Sequence, residues 1–350
     1  MKNKLIPLLC FFLLCSHDMY LKMDTFFLEP DKKSVIDLYN GTFEKSENTI
    51  DRDRMLDASF LGNGTRYSIS DDQWTEKDSI TKLHFTTESA GTWVAGVSTK
   101  PRNIEMDADA FNKYLKHDGV LDMLEYRGSN NLLKEDAVEK YSKHVKTIFQ
   151  VGDKKTNDWN IALGYPIEFI PKSNPYEVNT GDTLQVQLIK DGKPLANQLV
   201  YADYKAAKDS HTHTNQEHTH NNENHSHDKA SHSHDGKTHS HDDGTNANNE
   251  EHTHTSGQKL RTNDEGMVTV KLTADGIWYL RTINLVTTEE AGLTHESNWA
   301  TLTFEVRHNH DNDHVHTDEH EHLDDTPSYF YWIGSILLIV ILFFWFNRKK

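Results

Sequence analysis

Histidine is the residue whose placement in this chain calls first for a chemical reason. Eighteen of the 23 histidines form nine His-x-His pairs. Five begin at His211, His218, His225, His232 and His239, one every seven residues, and a sixth, His252/His254, follows after a missed beat. Three more, His308/His310, His314/His316 and His320/His322, recur every six residues. Thr or Ser separates the two histidines in each of the first six pairs. In an extended chain, residues two apart project to the same side, so both imidazoles of a pair can turn toward one ion. Two flexibly linked pairs supply four nitrogens, enough for tetrahedral or square-planar coordination. Imidazole without thiolate suits nickel, zinc, copper and, less tightly, cobalt. The expected ligands are therefore His211, His213, His218, His220, His225, His227, His232, His234, His239, His241, His252, His254, His308, His310, His314, His316, His320 and His322. Binding should weaken near pH 6.5, where protons compete for the same lone pairs.

The bland alternative is a solvated spacer that binds metal as a side effect. A spacer needs no strict pairing, although repeat slippage within one tract could generate it. The second cluster has a different period and carries Asp and Glu, which slippage in the first would not produce.

The ends of the chain place this chemistry. Residues 1–16, MKNKLIPLLCFFLLCS, carry Lys2 and Lys4 ahead of about eleven apolar residues and a small residue, the pattern of a secretory signal. Cleavage after Ser16 would leave His17 first. A lipid-attachment site at Cys15 is the alternative, with Leu14 bulkier than such sites usually accept. The uncharged run from Pro327 to Asn347, flanked by aromatic residues and followed by Arg348, Lys349 and Lys350, is long enough to span a membrane as a helix. The positive tail points to the cytoplasm and puts the preceding residues outside, in the periplasm of a Gram-negative bacterium.

Both cysteines, Cys10 and Cys15, fall within the expected signal, so a mature ectodomain has neither disulfide nor thiolate ligand. The formal charge of −17 disfavours nucleic acid and favours cations. No HExxH, nucleophile elbow or phosphate loop occurs, and the expectation is a non-enzyme.

The elements that must carry the histidines read as mainly β. The expected fold is two β-sandwich domains, immunoglobulin-like or transthyretin-like, with a helical insertion in the first and one C-terminal transmembrane helix. The first domain covers 17–172. KLHFTTESAGTWVAGVST reads there as two strands joined by a turn, and DADAFNKYLKHDGVLDMLEYR as a helix from Asp107 broken near Gly119. LKEDAVEKYSKHVKTIFQVG reads as beginning in a helix and ending in a strand. The second domain covers 173–307. Leu184, Val186 and Leu188 alternate there with polar residues before the Asp191-Gly192 turn, and Val268, Val270 and Leu272 alternate later. Residues 206–258 between these strands lack the apolar content to order themselves, so the first tract reads as a disordered loop inserted into the second sandwich. Residues 308–326 form a histidine-rich juxtamembrane segment, and 348–350 a cytoplasmic tail.

Several stretches carry a family resemblance. SHDMYL (Ser16–Leu21), AGTWVAGVSTKP, AFNKYLKHDGV, KYSKHVKTIFQVG, NWATLTFEV and above all LGYPIEFIPKSNPYEVNTGDTLQVQLIKDGKPLANQLV resemble the domain-of-unknown-function 4198 proteins. These are often described as periplasmic components of bacterial cobalt/nickel uptake systems. The resemblance spans nearly all of Ser16–Val306 outside the tract, with Tyr20 where Trp is commoner and Ser16 where Ala is commoner. It implies His17 as a further metal ligand, through a terminal amine and imidazole, with His84 or His295 as conceivable partners. His117 and His144, beside lysines on stretches read as helical, are expected to be solvated.

The reading is a membrane-anchored, extracytoplasmic protein that binds a divalent ion (Ni, Co, Zn or Cu) in support of uptake through a membrane permease or ABC-type partner. The helix has no ionisable group and forms no metal pathway alone. A metal-sequestering buffer and a copper-dependent oxidase with an N-terminal histidine chelate are the alternatives.

Overall fold

In the computed structural model the described residues are 18–206 and 257–307. The chain opens with β1 (Asp18–Lys22), β2 (Phe27–Leu28), β3 (Lys33–Gly41), β4 (Met55–Gly62) and β5 (Thr65–Ser68). Next come β6 (Trp74–Lys77), β7 (Ile80–Thr86), β8 (Gly91–Thr99) and β9 (Arg102–Met106). Helices α1 (Ala108–His117) and α2 (Leu121–Ser129) lead into β10 (Ala137–Val151). The second half holds β11 (Ile167–Pro171), β12 (Thr183–Lys190), β13 (Lys193–Pro194) and β14 (Leu199–Ala206). It resumes with β15 (Gln258–Arg261), β16 (Met267–Lys271), β17 (Gly276–Thr287) and β18 (His295–Val306). The protein is mainly β.

One ten-stranded sheet, ordered β15-β14-β17-β18-β10-β8-β4-β5 with β2 and β9 also on β10, runs through the middle. A four-stranded sheet, β1-β3-β7-β6, lies against one face: Thr301 and Thr303 donate from β18 to the Met19 and Leu21 carbonyls of β1 at 2.8 and 2.6 Å. A second four-stranded sheet, β11-β12-β13 with β16 on β12, covers the other, where Lys146 of β10 meets Glu168 of β11 at 3.0 Å. Burial on both faces explains why all nine residues of β8, Thr92, Ser98 and Thr99 among them, are buried.

The strands on either side of the boundary expected at 172/173 share this sheet. β10 pairs in parallel with β18 from Glu139↔His295 to Thr147↔Thr303, and one apolar core takes residues from both halves, Val94 and Phe149 as well as Leu188 and Phe304. The described residues belong to a single compact unit.

Local expectations fare unevenly. The helix begins where Asp107 accepts from the Ala110 amide at 2.8 Å and breaks at Gly119, whose φ of +75° suits a residue without a side chain. Phe111, Tyr114 and Leu115 face inward and form a second apolar cluster with Ile283, Leu285 and Trp299. The turn Asp191-Gly192 has φ of +49° and +72°. The two strands around Gly91 are present, but β7 pairs with β3 and β6 while β8 pairs with β4 and β10. Their connection passes between sheets. The segment read as helix-then-strand is strand throughout from Ala137. Its consecutive apolar and long polar side chains imitate helical spacing because both faces of β10 are covered.

Among the described residues no helix is long and apolar enough to cross a membrane. The apolar run at 327–347 lies outside them, as does the expected signal.

Candidate functional site

His17 and the eighteen paired histidines lie outside the described residues. What the structure gives is the scaffold from which they leave. β14 and β15, which flank the first tract, are antiparallel neighbours with Ala202 opposite Gln258. β14 ends at Ala206, opposite Gly276, and Gly276 is also opposite Val306, the last residue of β18. Ala206, Gly276 and Val306 thus occupy one rung across three adjacent strands. With strands about 4.8 Å apart, the points where the chain departs toward the two histidine clusters are about 10 Å from each other, at the same end of the sheet. β15 returns to that end by pairing with β14.

Asp18, which follows His17 in sequence, sits elsewhere. Its carboxylate meets the Arg281 guanidinium at 2.7 Å and accepts from the Tyr20 hydroxyl at 3.1 Å. Arg281 lies opposite Thr301, five rungs from the Gly276–Val306 pair, or about 17 Å along the strands. Around Asp18 lies a buried polar layer roofed by α1 and α2. Arg281 donates to the Asp118 carbonyl at 3.0 Å, and Lys143 donates to Asn40 at 3.0 Å with its ammonium 5.2 Å from the Trp299 ring centre. Burial lowers the Lys143 pKa to about 8. Glu139, four residues before Lys143 on β10, uses Oε1 to accept from Ser297 and, at 3.2 Å, from Tyr114, while its Oε2 has no hydrogen-bond partner among the described residues. Burial raises its pKa to about 7. Beside this layer, Asp118, Asp122, Gln198, Tyr201 and Arg281 line a cavity of about 40 Å³, room for little more than a water.

The four described histidines divide by environment. His84 is exposed on β7, its Nε2 2.7 Å from the Thr75 hydroxyl. His117 ends α1, half-buried, with Nδ1 2.8 Å from Asp118. His144, expected to be solvated, is instead 2% exposed on β10, held between Ser98 and Ser142 at 2.9 and 3.1 Å. Burial brings its pKa to about 4, so it is neutral at pH 7. Covering β10 on both faces turned a residue flanked by lysines inward.

His295 is buried too. The Thr294 hydroxyl lies 2.7 Å from His295 Nδ1 and 3.1 Å from the Val138 carbonyl, and accepts from the Val138 amide at 2.9 Å. His295 Nε2 has no hydrogen-bond partner among the described residues. Burial, with the positive charge of Arg127, lowers its pKa to about 4, and Phe111 packs 4.7 Å from its ring. His84 and His295 occupy different sheets and the structure does not bring them together. Among the described residues no group of three or more His, Cys, Asp or Glu is placed to hold a metal ion. Sequence reasoning missed Asp18, Glu139, Lys143 and Arg281. Their meeting depends on the parallel β10–β18 register, which has no local signature.

Scaffold and tract together define a class: a three-layer β protein with a histidine-rich insert in an edge hairpin. The family profile described as Domain of unknown function (DUF4198) matches residues 14–285, and the chain belongs to that family. No curated protein matches it in sequence. Among solved structures it is similar to Salmonella alpha-2-macroglobulin reacted with methylamine, at 8% identity and a TM-score of 0.20 over 82% of this chain and 15% of that one. It is also similar to the D0-D1 domain of Intimin, at 12% identity and a TM-score of 0.17 over 82% of this chain and 97% of that one. E. coli alpha-2-macroglobulin in its native conformation gives 8% identity and 0.19 over 83% and 14%. The chain spans about one seventh of the macroglobulins' length.

Proposed function

We propose that the protein captures divalent transition metal ions, nickel or cobalt first and zinc or copper also, outside the cytoplasm and at the membrane surface, and supplies them to an uptake partner. The observation that carries this reading is the set of nine regularly spaced His-x-His pairs. Each pair offers two imidazoles to one ion, and a polar tract that must order itself to bind holds each ion weakly and exchanges it fast. Many such sites on one tether raise the local supply of ion. The common rung of Ala206 and Val306 supports the reading, because ions leaving one cluster start near the other. The apolar run at 327–347 is the membrane anchor, and a permease with an ATPase is the partner.

Calorimetric titration of the full chain with nickel, cobalt, zinc and copper at neutral pH tests the binding. Several ions per chain are expected, and none would remove the reading. Cells lacking residues 211–254 then separate supply from sequestration. Supply predicts a metal-starved strain, and sequestration a metal-sensitive one.

A further inference from the structure

The geometry points to a second binding site, toward the β4–β5 edge of the central sheet and away from its β14–β15 edge, that takes a small alkylated ammonium ion through aromatic side chains. Phe60, Tyr67, Phe85, Trp93 and Phe149 contribute to the walls of a cavity of about 260 Å³ between the central sheet and β7. That volume approaches the range of small-ligand pockets. Glu88 supplies a carboxylate, and no Lys, Arg or His is among the described residues lining it.

The walls are held in place before any ligand arrives. Trp93 donates its indole N–H to the Ser89 carbonyl at 3.1 Å, in the turn that carries Glu88. A Cβ on Gly62 would come within 2.3 Å of the Trp93 ring, so β4 accepts the indole flat against its backbone only because that residue has no side chain. Tyr67 stacks on Trp93 at 6.1 Å between centres. Phe85 lies 5.0 Å from Phe60 and 5.8 Å from Phe149, closing the inner wall. At 39% exposed, Tyr67 is a large aromatic left open to solvent at this edge.

Aromatic faces attract cations through their quadrupole, and a nearby carboxylate adds a counter-charge. A divalent transition metal ion gains little here, since the polar lining is Ser68, Gln73, Thr86, Thr87 and the single carboxylate of Glu88, with neither imidazole nor thiolate. An ammonium carrying methyl groups holds water weakly and presents an apolar surface with a delocalised charge, which suits a lining in which Tyr67 and Phe85 are the more open rings, backed by the buried Phe60, Trp93 and Phe149, with the Glu88 carboxylate beside them. The site shares no residue with the histidine clusters and stands independently of the metal reading.

The test uses the full chain with chelator present and compares choline with its uncharged isostere 3,3-dimethylbutan-1-ol, by calorimetry and by saturation-transfer NMR on the ligand methyls. Choline should bind about tenfold more tightly than the isostere. Tyr67→Ala should weaken choline about fivefold, and Glu88→Gln should weaken choline about threefold while leaving the isostere unchanged. Both residues are exposed, and an unchanged melting temperature will show that the variants remain folded. Equal binding of choline and isostere, no saturable signal at millimolar ligand, or full binding by the Tyr67→Ala variant would each overturn the proposal.

Discussion

Buried charge dominates at the scale of single residues, and it does not all act in one direction. Lys146 and Glu168 are buried together: Glu168 accepts from the Leu163, Gly164 and Tyr165 amides as well as from the ammonium. Removing one partner leaves the other charge unmet in the core, so Glu168→Ala should lose about 3–5 kcal/mol in urea unfolding. Glu139 behaves oppositely. Its folded pKa of about 7 lies above the unfolded carboxylate value, so the native state binds more protons between the two. Its contribution to stability therefore falls as pH rises toward and through 7. Glu139→Gln should raise the melting temperature relative to wild type more at pH 8.5 than at pH 5.5, and an unchanged difference would refute this account. His144 and His295 work the other way. With folded pKa values of about 4, below the unfolded histidine range, each withdraws stability as pH falls from about 6.5 toward 4. Unfolding followed across that window should show the loss, and His144→Gln should reduce it.

Among the elements, the helical roof is the part whose origin is clearest. Asp107 caps α1 and Gly119 separates it from α2, so Asp107→Ala should cost about 1 kcal/mol. Hydrogen exchange should show the loss in residues 108–117 first. This roof, the Asp191-Gly192 turn and the alternation in β12 were legible because caps, glycine and period-two burial act over a few residues. β10 imitates a helix in sequence for a related reason. Val145, Ile148 and Phe149 face opposite sides of a strand that is covered on both, so no alternation remains to be seen. Nor could spacing show that the two tract exits share a rung, since Ala206 and Val306 are a hundred residues apart in the chain. The proposed metal ligands were the reverse case: their pairing is local and evident, but they fall outside the described residues.

For the whole molecule, the tract enters between two strands, β14 and β15, that pair with each other. Removing 211–254 shortens the β14–β15 connection about sevenfold, nearly three halvings of a loop, which should stabilise the fold by up to about 2 kcal/mol. The same deletion should abolish most metal uptake in titrations, and the ions bound by the intact chain should be lost as pH drops below about 6.5.

The parallel pairing of β10 with β18 also sets a timetable. The strand at the middle of the sheet waits for a neighbour made from residues 295–306, and β1 in turn rests on Thr301 and Thr303. Such distant partnerships form slowly and late. A ribosome must pass residue 306 before that seam can close, so strands of the first half that already pair among themselves, β3 with β7 and β8 with β10, stay open on one side until then.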